Sequence, residues 1–256
     1  LASVERYARV CYKSEGIMEN GGSRTAIHSD TNGAVEAVPS QFLSSGRIAA
    51  IYGPSYEILT ALGAEDKIVV RADVQTDSFP WAKKVFSRIN EVPFLDNVHS
   101  AVNFEELMKY KPDLVFTFPR QNEINQLNKA GIASVTGESY EHIDDTCAAV
   151  KRCAEAIGPE AEQKAEEYCE YFNEKLNFVR EKTASIPEED RKTVYYAGMS
   201  VLTTYGKYSD MIEVIEAAGA IAVSGQTEAG ARTEINYEQL MDWDPDYIFL
   251  DHGGIN

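Results

Sequence analysis

A fourteen-residue motif occurs twice in this chain and constrains its fold more than any other feature. The first copy runs from Asn103 to Phe116 (NFEELMKYKPDLVF) and the second from Asn236 to Phe249 (NYEQLMDWDPDYIF), with seven of the fourteen positions identical. An internal repeat of this kind indicates two halves built on one architecture. Two similar lobes imply a cleft between them.

Each copy has the pattern of a capped helix followed by a buried strand. Asn103 and Asn236 are favoured N-cap residues, and Glu106 and Gln239, three positions later, complete a capping box. A proline then stops the helix in each copy, because proline has no N–H to donate. The apolar runs that follow are typical of strands covered on both faces.

One acid in each copy has no part in this scheme. Glu105 and Glu238 lie one residue before the box position, so the cap does not need them. The helix dipole favours an acid in the first turn, and this explanation is sufficient for either residue alone. Their recurrence at the same place in both halves indicates a shared function.

Upstream of each copy, a strand leads into a helix that closes at a glycine and returns as a strand. The unit comprises residues 47–52, 56–62 and 67–71 in the first half, and residues 193–197, 210–218 and 221–223 in the second. Gly63 and Gly219 suit the left-handed position that ends a helix. This alternation predicts Rossmann-like α/β lobes with mainly parallel sheets, which bind ligands at the carboxyl ends of their strands.

A charged helical segment joins the two halves. It is broken once, at Gly158-Pro159, where glycine ends one helix and proline opens the next. The second helix would be roughly 35 Å long at about 1.5 Å per residue, enough for a rigid backbone between lobes. We therefore expect an N-terminal lobe at residues 1–143, linking helices at 144–186, and a C-terminal lobe at 187–256 that is shorter and incomplete.

Charge and cysteine spacing exclude several classes of function. A formal net charge of −17 makes nucleic acid and anionic membrane surfaces poor partners, and no apolar run approaches the roughly 20 residues of a membrane span. Cys11, Cys147, Cys153 and Cys169 form no C-x-x-C pair, so their spacing suggests neither a zinc knuckle nor a disulfide framework. The chain opens without an export signal, which we expect to have been removed.

The order of these segments resembles the helical-backbone (class III) substrate-binding proteins of ABC importers. The resemblance covers about Thr25 to Gly253 and rests on the Ala-Leu-Gly at residues 61–63, the single linking helix and the two Pro-Asp motifs. This family takes up iron-siderophores, haem and cobalamin, with molybdate- and tungstate-binding relatives. It implies two lobes joined by one long helix, a ligand in the cleft between them, and no cofactor.

The resemblance also implies partners and a location. In the family, one glutamate on each lobe docks into arginine pockets of the membrane permease, and these glutamates correspond here to Glu105 and Glu238. The protein is then expected to be an extracytoplasmic monomer, periplasmic or lipid-anchored to the cell surface.

A ligand between the lobes would meet the loops that follow the strands. In the first lobe the candidates are Tyr52, Ser55, Arg71, Trp81, Phe118 and Arg120; in the second they are Met199, Thr203, Thr204, Tyr205, Lys207 and His252, with Asp251 beside it. Arg71, Arg120 and Lys207 are the strongest candidates, because an anionic ligand in an acidic protein needs local positive charge. The scattered histidines do not predict a metal site of the protein's own.

Several ligands and one other class of protein stay open. The expected cargo is a chelated metal, foremost a ferric siderophore, with a molybdate or tungstate oxyanion, haem or cobalamin as alternatives. A metal-cluster enzyme of similar two-lobed architecture is the alternative from another class. The sequence contains no nucleophile elbow, no phosphate-binding P-loop and no dinucleotide fingerprint, and we therefore expect a binding protein and not an enzyme.

Overall fold

A computed structural model gives the architecture of most of the chain. It describes residues 46–52, 54–72, 82–98, 100–136, 142–198, 200–228 and 232–251, together with the backbone of three short strands nearer the N-terminus. These strands, β1 (Met18–Asn20), β2 (Ser23–Ser29) and β3 (Val35–Val38), pair antiparallel in that order.

The first lobe is built on a five-stranded parallel sheet. Its strands are β4 (Ile48–Ala50), β5 (Ile68–Ala72), β6 (Phe94–Leu95), β7 (Leu114–Thr117) and β8 (Ala133–Thr136), and its helices are α1 (Ser55–Ala61), α2 (Ala82–Val85), α3 (Phe104–Lys109) and α4 (Gln121–Lys129). The strands lie in the order β6-β5-β4-β7-β8. The direction of winding therefore reverses between β4 and β7, which is where doubly wound sheets bind ligands.

Helices cover both faces of this sheet. Successive residues of β4 point to opposite sides, so Ile48 and Ala50 belong to one hydrophobic core and Ala49 to the other. The first core is closed by α1 and by the linking helices α5 (Thr146–Ile157) and α6 (Pro159–Thr183). The second is closed by α3 and α4. The linking helices thus also form part of the first lobe.

The single break in the linking segment falls where the sequence predicts it. Gly158, with φ of 126°, separates α5 from α6, and Pro159 opens α6. The long helix runs for 25 residues and reaches the second lobe, where the Thr183 hydroxyl donates to the carbonyl of Ala217 at 2.9 Å. The prediction of one long backbone helix is confirmed.

The second lobe repeats the plan of the first, with three described strands in its parallel sheet. It contains β9 (Thr193–Ala197), β10 (Thr203–Thr204), α7 (Asp210–Ala217), β11 (Ile221–Ala222), β12 (Thr233–Glu234), α8 (Tyr237–Trp243) and β13 (Tyr247–Leu250). A parallel sheet has the order β11-β9-β13, and β10 pairs antiparallel with β12. Thus β9, β11 and β13 take the places of β4, β5 and β7. Short 3-10 helices lie at Glu65–Lys67, Ile143–Asp145, Glu188–Asp190 and Val223–Gln226.

The repeated motif forms the same local structure in both lobes. The Asn103 side chain accepts the N–H of Glu106 at 3.1 Å, and the Asn236 side chain accepts that of Gln239 at 2.8 Å, so both N-caps are confirmed. Each helix is followed by a left-handed residue just before the proline, Lys111 with φ of 47° and Asp244 with φ of 39°. This conformation could not be predicted from the sequence, because neither residue is a glycine.

The aspartate of each Pro-Asp pair ties the motif to the first strand of its lobe. The Asp113 carboxylate accepts the N–H of Gly46 at 3.2 Å, next to β4. The Asp246 carboxylate accepts the N–H of Thr193 at 2.9 Å, at the start of β9. The bond from Thr193 holds the pKa of Asp246 below its usual value. The repeated aspartate thus has a structural function in both lobes.

The two copies differ in how far their strands are buried. The four residues of β7 are buried, as expected, but the four residues of β13 are exposed. Phe116 is 2% exposed, whereas Phe249, its counterpart, is 55% exposed. Among the described residues, nothing therefore covers β13, in contrast to the strand covered on both faces that the motif predicts. The physical reason is packing: Phe116 and Val115 of β7 belong to the two cores of the first lobe, whereas no residue of β13 belongs to a hydrophobic core of the described residues.

Candidate functional site

Two aromatic side chains lie where the winding of the first sheet reverses. Tyr52 follows β4 and Phe118 follows β7, and their ring centroids are 5.1 Å apart in an edge-to-face arrangement. The N–H of Tyr52 donates to the carbonyl of Phe116 at 3.1 Å, which fixes Tyr52 beside the end of β7. Both side chains are half-buried. The sequence-based placement of these two residues together at the strand ends agrees with this geometry.

Arg120 adds positive charge next to this aromatic pair. Its guanidinium carbon lies 4.6 Å from the centre of the Phe118 ring, and Nη2 donates to the carbonyl of Val98 at 2.6 Å. Its Nε is 3.0 Å from a carboxylate oxygen of Glu123, which is 8% exposed. Sequence reasoning missed Glu123, although its position three residues after Arg120, in the first turn of α4, is a signal for such a pair.

Two of the expected ligand contacts face the interior of the first lobe. Arg71 is 6% exposed, and it donates from Nε to the carbonyl of Ile89 at 3.0 Å and from Nη1 to that of Ala72 at 2.9 Å. Ser55 is fully buried, and its hydroxyl donates to the carbonyl of Tyr52. Ser55 therefore stabilises the loop that carries Tyr52, whereas Arg71 stabilises the end of β5 and the segment that leads to β6.

A second polar and aromatic cluster lies at the strand ends of the second sheet. Tyr196 of β9 has its ring centroid 5.7 Å from that of Tyr205. Asp251 directly follows β13 and its N–H donates to the carbonyl of Ala197 at 2.9 Å. Burial raises the pKa of Tyr196, and the nearby Asp251 carboxylate raises it further, so the phenol stays protonated at neutral pH. Tyr196 was not foreseen, because it reads as an ordinary strand residue.

The loop before α7 supplies the remaining second-lobe candidates. Thr203 and Ser200 share a hydrogen bond of 2.8 Å between their hydroxyls. Thr204 is fully buried and donates to the carbonyl of Tyr196 at 2.7 Å. Lys207 is exposed, with its amine 3.3 Å from the Glu228 carboxylate. Of these residues, Ser200 and Lys207 are exposed, Thr203 is half-buried and Thr204 is buried.

Three further candidates, Trp81, Met199 and His252, lie outside the described residues and stay predictions. Within the ranges that the structure describes, no three His, Cys, Asp or Glu side chains converge as a metal site. In the same ranges, no helix combines the length and apolar character needed to cross a bilayer.

A charged pocket lies where the linking helix meets the second lobe. Its volume is about 510 Å³, and its lining residues are His142, Asp144, Asp145, Arg180, Glu213, Glu216 and Ala217. Nδ1 of His142 is 2.5 Å from the Glu213 carboxylate, and Arg180 pairs with Asp144 at 2.9 Å. Because no strand-end residue lines it, this pocket is a feature of the junction between the lobes.

The repeated acids are displayed on equivalent helices. Glu105 lies in the first turn of α3 and Glu238 in the first turn of α8, and both are exposed. Each follows an asparagine N-cap by two residues, so the same local structure presents both carboxylates.

Comparison with known proteins identifies the family. Residues 48–255 match the periplasmic binding protein family Peripla_BP_2, and the chain belongs to this family. It is 25% identical over 218 residues to an uncharacterized ABC transporter substrate-binding lipoprotein, YvrC, of Bacillus subtilis (strain 168). That match covers 81% of this chain and 64% of the relative, so the chain spans less than two thirds of the relative's length.

Two solved structures share the fold. A periplasmic solute binding protein from Veillonella parvula DSM 2008 matches with a TM-score of 0.69 and 25% identity, over 91% of this chain and 70% of that one. The molybdate periplasmic binding protein MolA of Haemophilus influenzae, solved bound to molybdate, matches with a TM-score of 0.74 and 19% identity, over 90% and 74% respectively. The two-lobed α/β fold expected from the sequence is thereby confirmed.

Proposed function

We propose that this protein is the extracytoplasmic solute-binding component of an ABC importer, which captures a small-molecule ligand between its lobes and delivers it to a membrane permease. The observation that carries the proposal is the pair of equivalent strand-end clusters, one in each lobe of a periplasmic binding protein fold. Tyr52 and Phe118 follow β4 and β7 in the first lobe. In the second lobe, Tyr205 follows β10 and packs beside Tyr196 of β9, and Asp251 follows β13; β9 and β13 occupy the places of β4 and β7.

The chemistry of these clusters favours a ligand with an organic shell. Three aromatic rings, those of Tyr52, Phe118 and Tyr205, are half-buried at the strand ends and offer flat apolar surface. A chelated metal, foremost a ferric siderophore, presents such a shell together with polar groups at its edge. Arg120 supplies positive charge on one side, although the buried Glu123 offsets part of it. Haem and cobalamin also have large organic surfaces and remain alternatives of the same kind.

A metal oxyanion is the second candidate. The hydroxyls of Ser200 and Thr203 share one hydrogen bond, which leaves one O–H of the pair to donate to a tetrahedral anion. The structural similarity to MolA, which was solved with molybdate, adds support at the level of the fold. Molybdate and tungstate therefore belong in the ligand screen.

Direct titration of the mature full-length protein tests this proposal. Its thermal transition is measured with ferric siderophores, haem, cobalamin, molybdate and tungstate, because a ligand that binds only the folded state must stabilise it. We expect one compound to raise the transition temperature saturably, and Tyr52→Ala and Tyr205→Ala to abolish that rise. Tyr171→Ala is the matched control, since Tyr171 is 61% exposed on the linking helix. If no compound of the panel raised the transition temperature, that result would contradict the proposal.

Docking of the permease is proposed to use Glu105 and Glu238. Replacing both by alanine is expected to abolish transport in a reconstituted importer and to leave ligand affinity unchanged. The adjacent pair Glu106→Ala and Gln239→Ala is the control, because these residues lie in the same helical turns. Equal loss of transport in the two double variants would contradict a specific role for Glu105 and Glu238.

A further inference from the structure

Two cysteine thiols face each other across the linking helices. Sγ of Cys147, on α5, is 4.0 Å from the carbonyl oxygen of Cys169, and Sγ of Cys169, on α6, is 3.7 Å from the carbonyl oxygen of Cys147. This reciprocal contact requires that the two backbones approach closely and that both side chains point into the space between the helices. A disulfide requires Cα atoms within about 7 Å and side chains directed toward each other, and the reciprocal contact is the observation that points to this arrangement.

The packing around the pair keeps the helices in this register. One turn further along α5, the Lys151 amine forms an ion pair with the Glu166 carboxylate of α6 at 2.8 Å. Small buried residues of both helices, including Ala154 and Ala165, lie in the same core and allow the close approach. The two cysteines are therefore held opposite each other by contacts on the same interface.

We propose that Cys147 and Cys169 are joined by a disulfide that staples α5 to α6 in the mature protein. This inference rests on the extracytoplasmic location proposed above, because disulfides form and persist in oxidising compartments. The bond would close a loop between residues 22 positions apart, across the Gly158-Pro159 turn. It would fix the first half of the linking helix to the first lobe, so that relative motion of the lobes arises beyond Cys169.

The reaction is a thiol–disulfide exchange with an external disulfide. The Cys147 thiolate attacks one sulfur of that disulfide and expels the first thiolate, which leaves a mixed disulfide on Cys147. The Cys169 thiolate then attacks Sγ of Cys147 and expels the second thiolate. Two protein thiols are thus oxidised, and the external disulfide is reduced to two thiols. Cys147 reacts first because it is half-buried, whereas Cys169 is 4% exposed.

The folded pair is expected to exchange slowly. Burial raises the pKa of the Cys169 thiol to about 12, and a hydrogen bond with Cys147 adds to this effect. Little Cys169 thiolate therefore exists at neutral pH. A bond formed as the helices assemble would persist as a structural disulfide.

Peptide mapping after oxidative refolding tests the proposal directly. The reduced, denatured full-length protein is refolded in a buffer of reduced and oxidised glutathione, so that access to buried sulfur is not limiting. Remaining thiols are then alkylated and the chain is cleaved with trypsin. Lys151, Arg152 and Lys164 place Cys147, Cys153 and Cys169 on separate peptides, and Cys11 is on another. We expect residues 130–151 to be recovered linked to residues 165–175.

Two variants make the outcome decisive. Cys147→Ser is expected to lose the cross-link and Cys153→Ser to keep it. Oxidation should raise the transition temperature of the wild type and of Cys153→Ser by roughly 5–10 °C. It should leave the transition temperature of Cys147→Ser unchanged. Recovery of Cys147 and Cys169 in alkylated form, or linkage of either to Cys11 or Cys153, would overturn the proposal. Neither result depends on ligand binding, so the proposed function is tested separately.

Discussion

The repeated motif offers a matched pair of substitutions, Phe116→Ala and Phe249→Ala, that tests the unequal burial of its two strands. Phe116 is 2% exposed and packs with residues of α1 and the linking helices, so its truncation loses transfer free energy and leaves a cavity. Such a change costs about 3–5 kcal/mol. Phe249 is 55% exposed, so less than half of its surface is at stake and no closed cavity forms. With full burial of such a side chain contributing about 1.5–3 kcal/mol, the loss of the buried fraction should cost about 0.7–1.4 kcal/mol.

Hydrogen exchange measured by mass spectrometry reports the stability of each lobe separately. The free energy of opening is read from peptides of β4 and β7 for the first lobe and from peptides of β9 for the second. The two N-caps serve as the internal control. Asn103→Ala and Asn236→Ala each remove an equivalent hydrogen bond, and each should cost about 1 kcal/mol in its own lobe.

The result that would refute this reasoning is equal loss for the two phenylalanines. If Phe249→Ala destabilised the second lobe by as much as Phe116→Ala destabilises the first, then β13 would be as well covered as β7 in the 256-residue chain. A cost below about 1.5 kcal/mol for Phe116→Ala would instead contradict the close packing assigned to the first core.

Three further substitutions test the structure elsewhere. Arg71→Met should destabilise the first lobe by about 2–4 kcal/mol in urea unfolding, because it leaves buried carbonyls without donors. Ligand affinity should stay within about threefold of the wild-type value. A large loss of affinity with unchanged stability would instead show that Arg71 contacts the ligand. Gly219→Ala should lower the thermal stability more than Gly63→Ala. Both glycines have positive φ, but an added Cβ would lie 2.9 Å from Thr183 at Gly219 and 3.8 Å from Lys164 at Gly63. Equal losses of stability would show that the Thr183 contact is relaxed. Asp246→Asn should weaken the pH dependence of second-lobe stability. Because the pKa of Asp246 is lowered in the fold, its carboxylate stabilises the fold at pH values above the ordinary pKa of 3.8. This contribution is lost as the pH falls through the lowered pKa. Parallel acid-unfolding curves for wild type and variant would contradict this role.

Much of the candidate site could be anticipated because parallel strands place their carboxyl ends at one edge. Tyr52, Phe118, Tyr205 and Asp251 were expected there, and the structure brings each to a strand end. The direction of individual side chains could not be anticipated in the same way. Arg71 was chosen for its charge, but its Nε and Nη1 donate to the carbonyls of Ile89 and Ala72 inside the first lobe. That contact joins residues 18 positions apart in the chain and depends on how β5 packs against the following loop.

The sequence by itself determined the repeat, the capped helices, the alternation of strand and helix, and the single long linking helix. These features depend on interactions within a few residues, such as an asparagine cap or a proline that lacks a donor, and such interactions are written in local sequence. Only the tertiary structure decided which copy of the strand is buried, because burial depends on neighbours supplied by distant parts of the chain. The same is true of Cys147 and Cys169, whose sulfurs come together only when α5 turns back along α6.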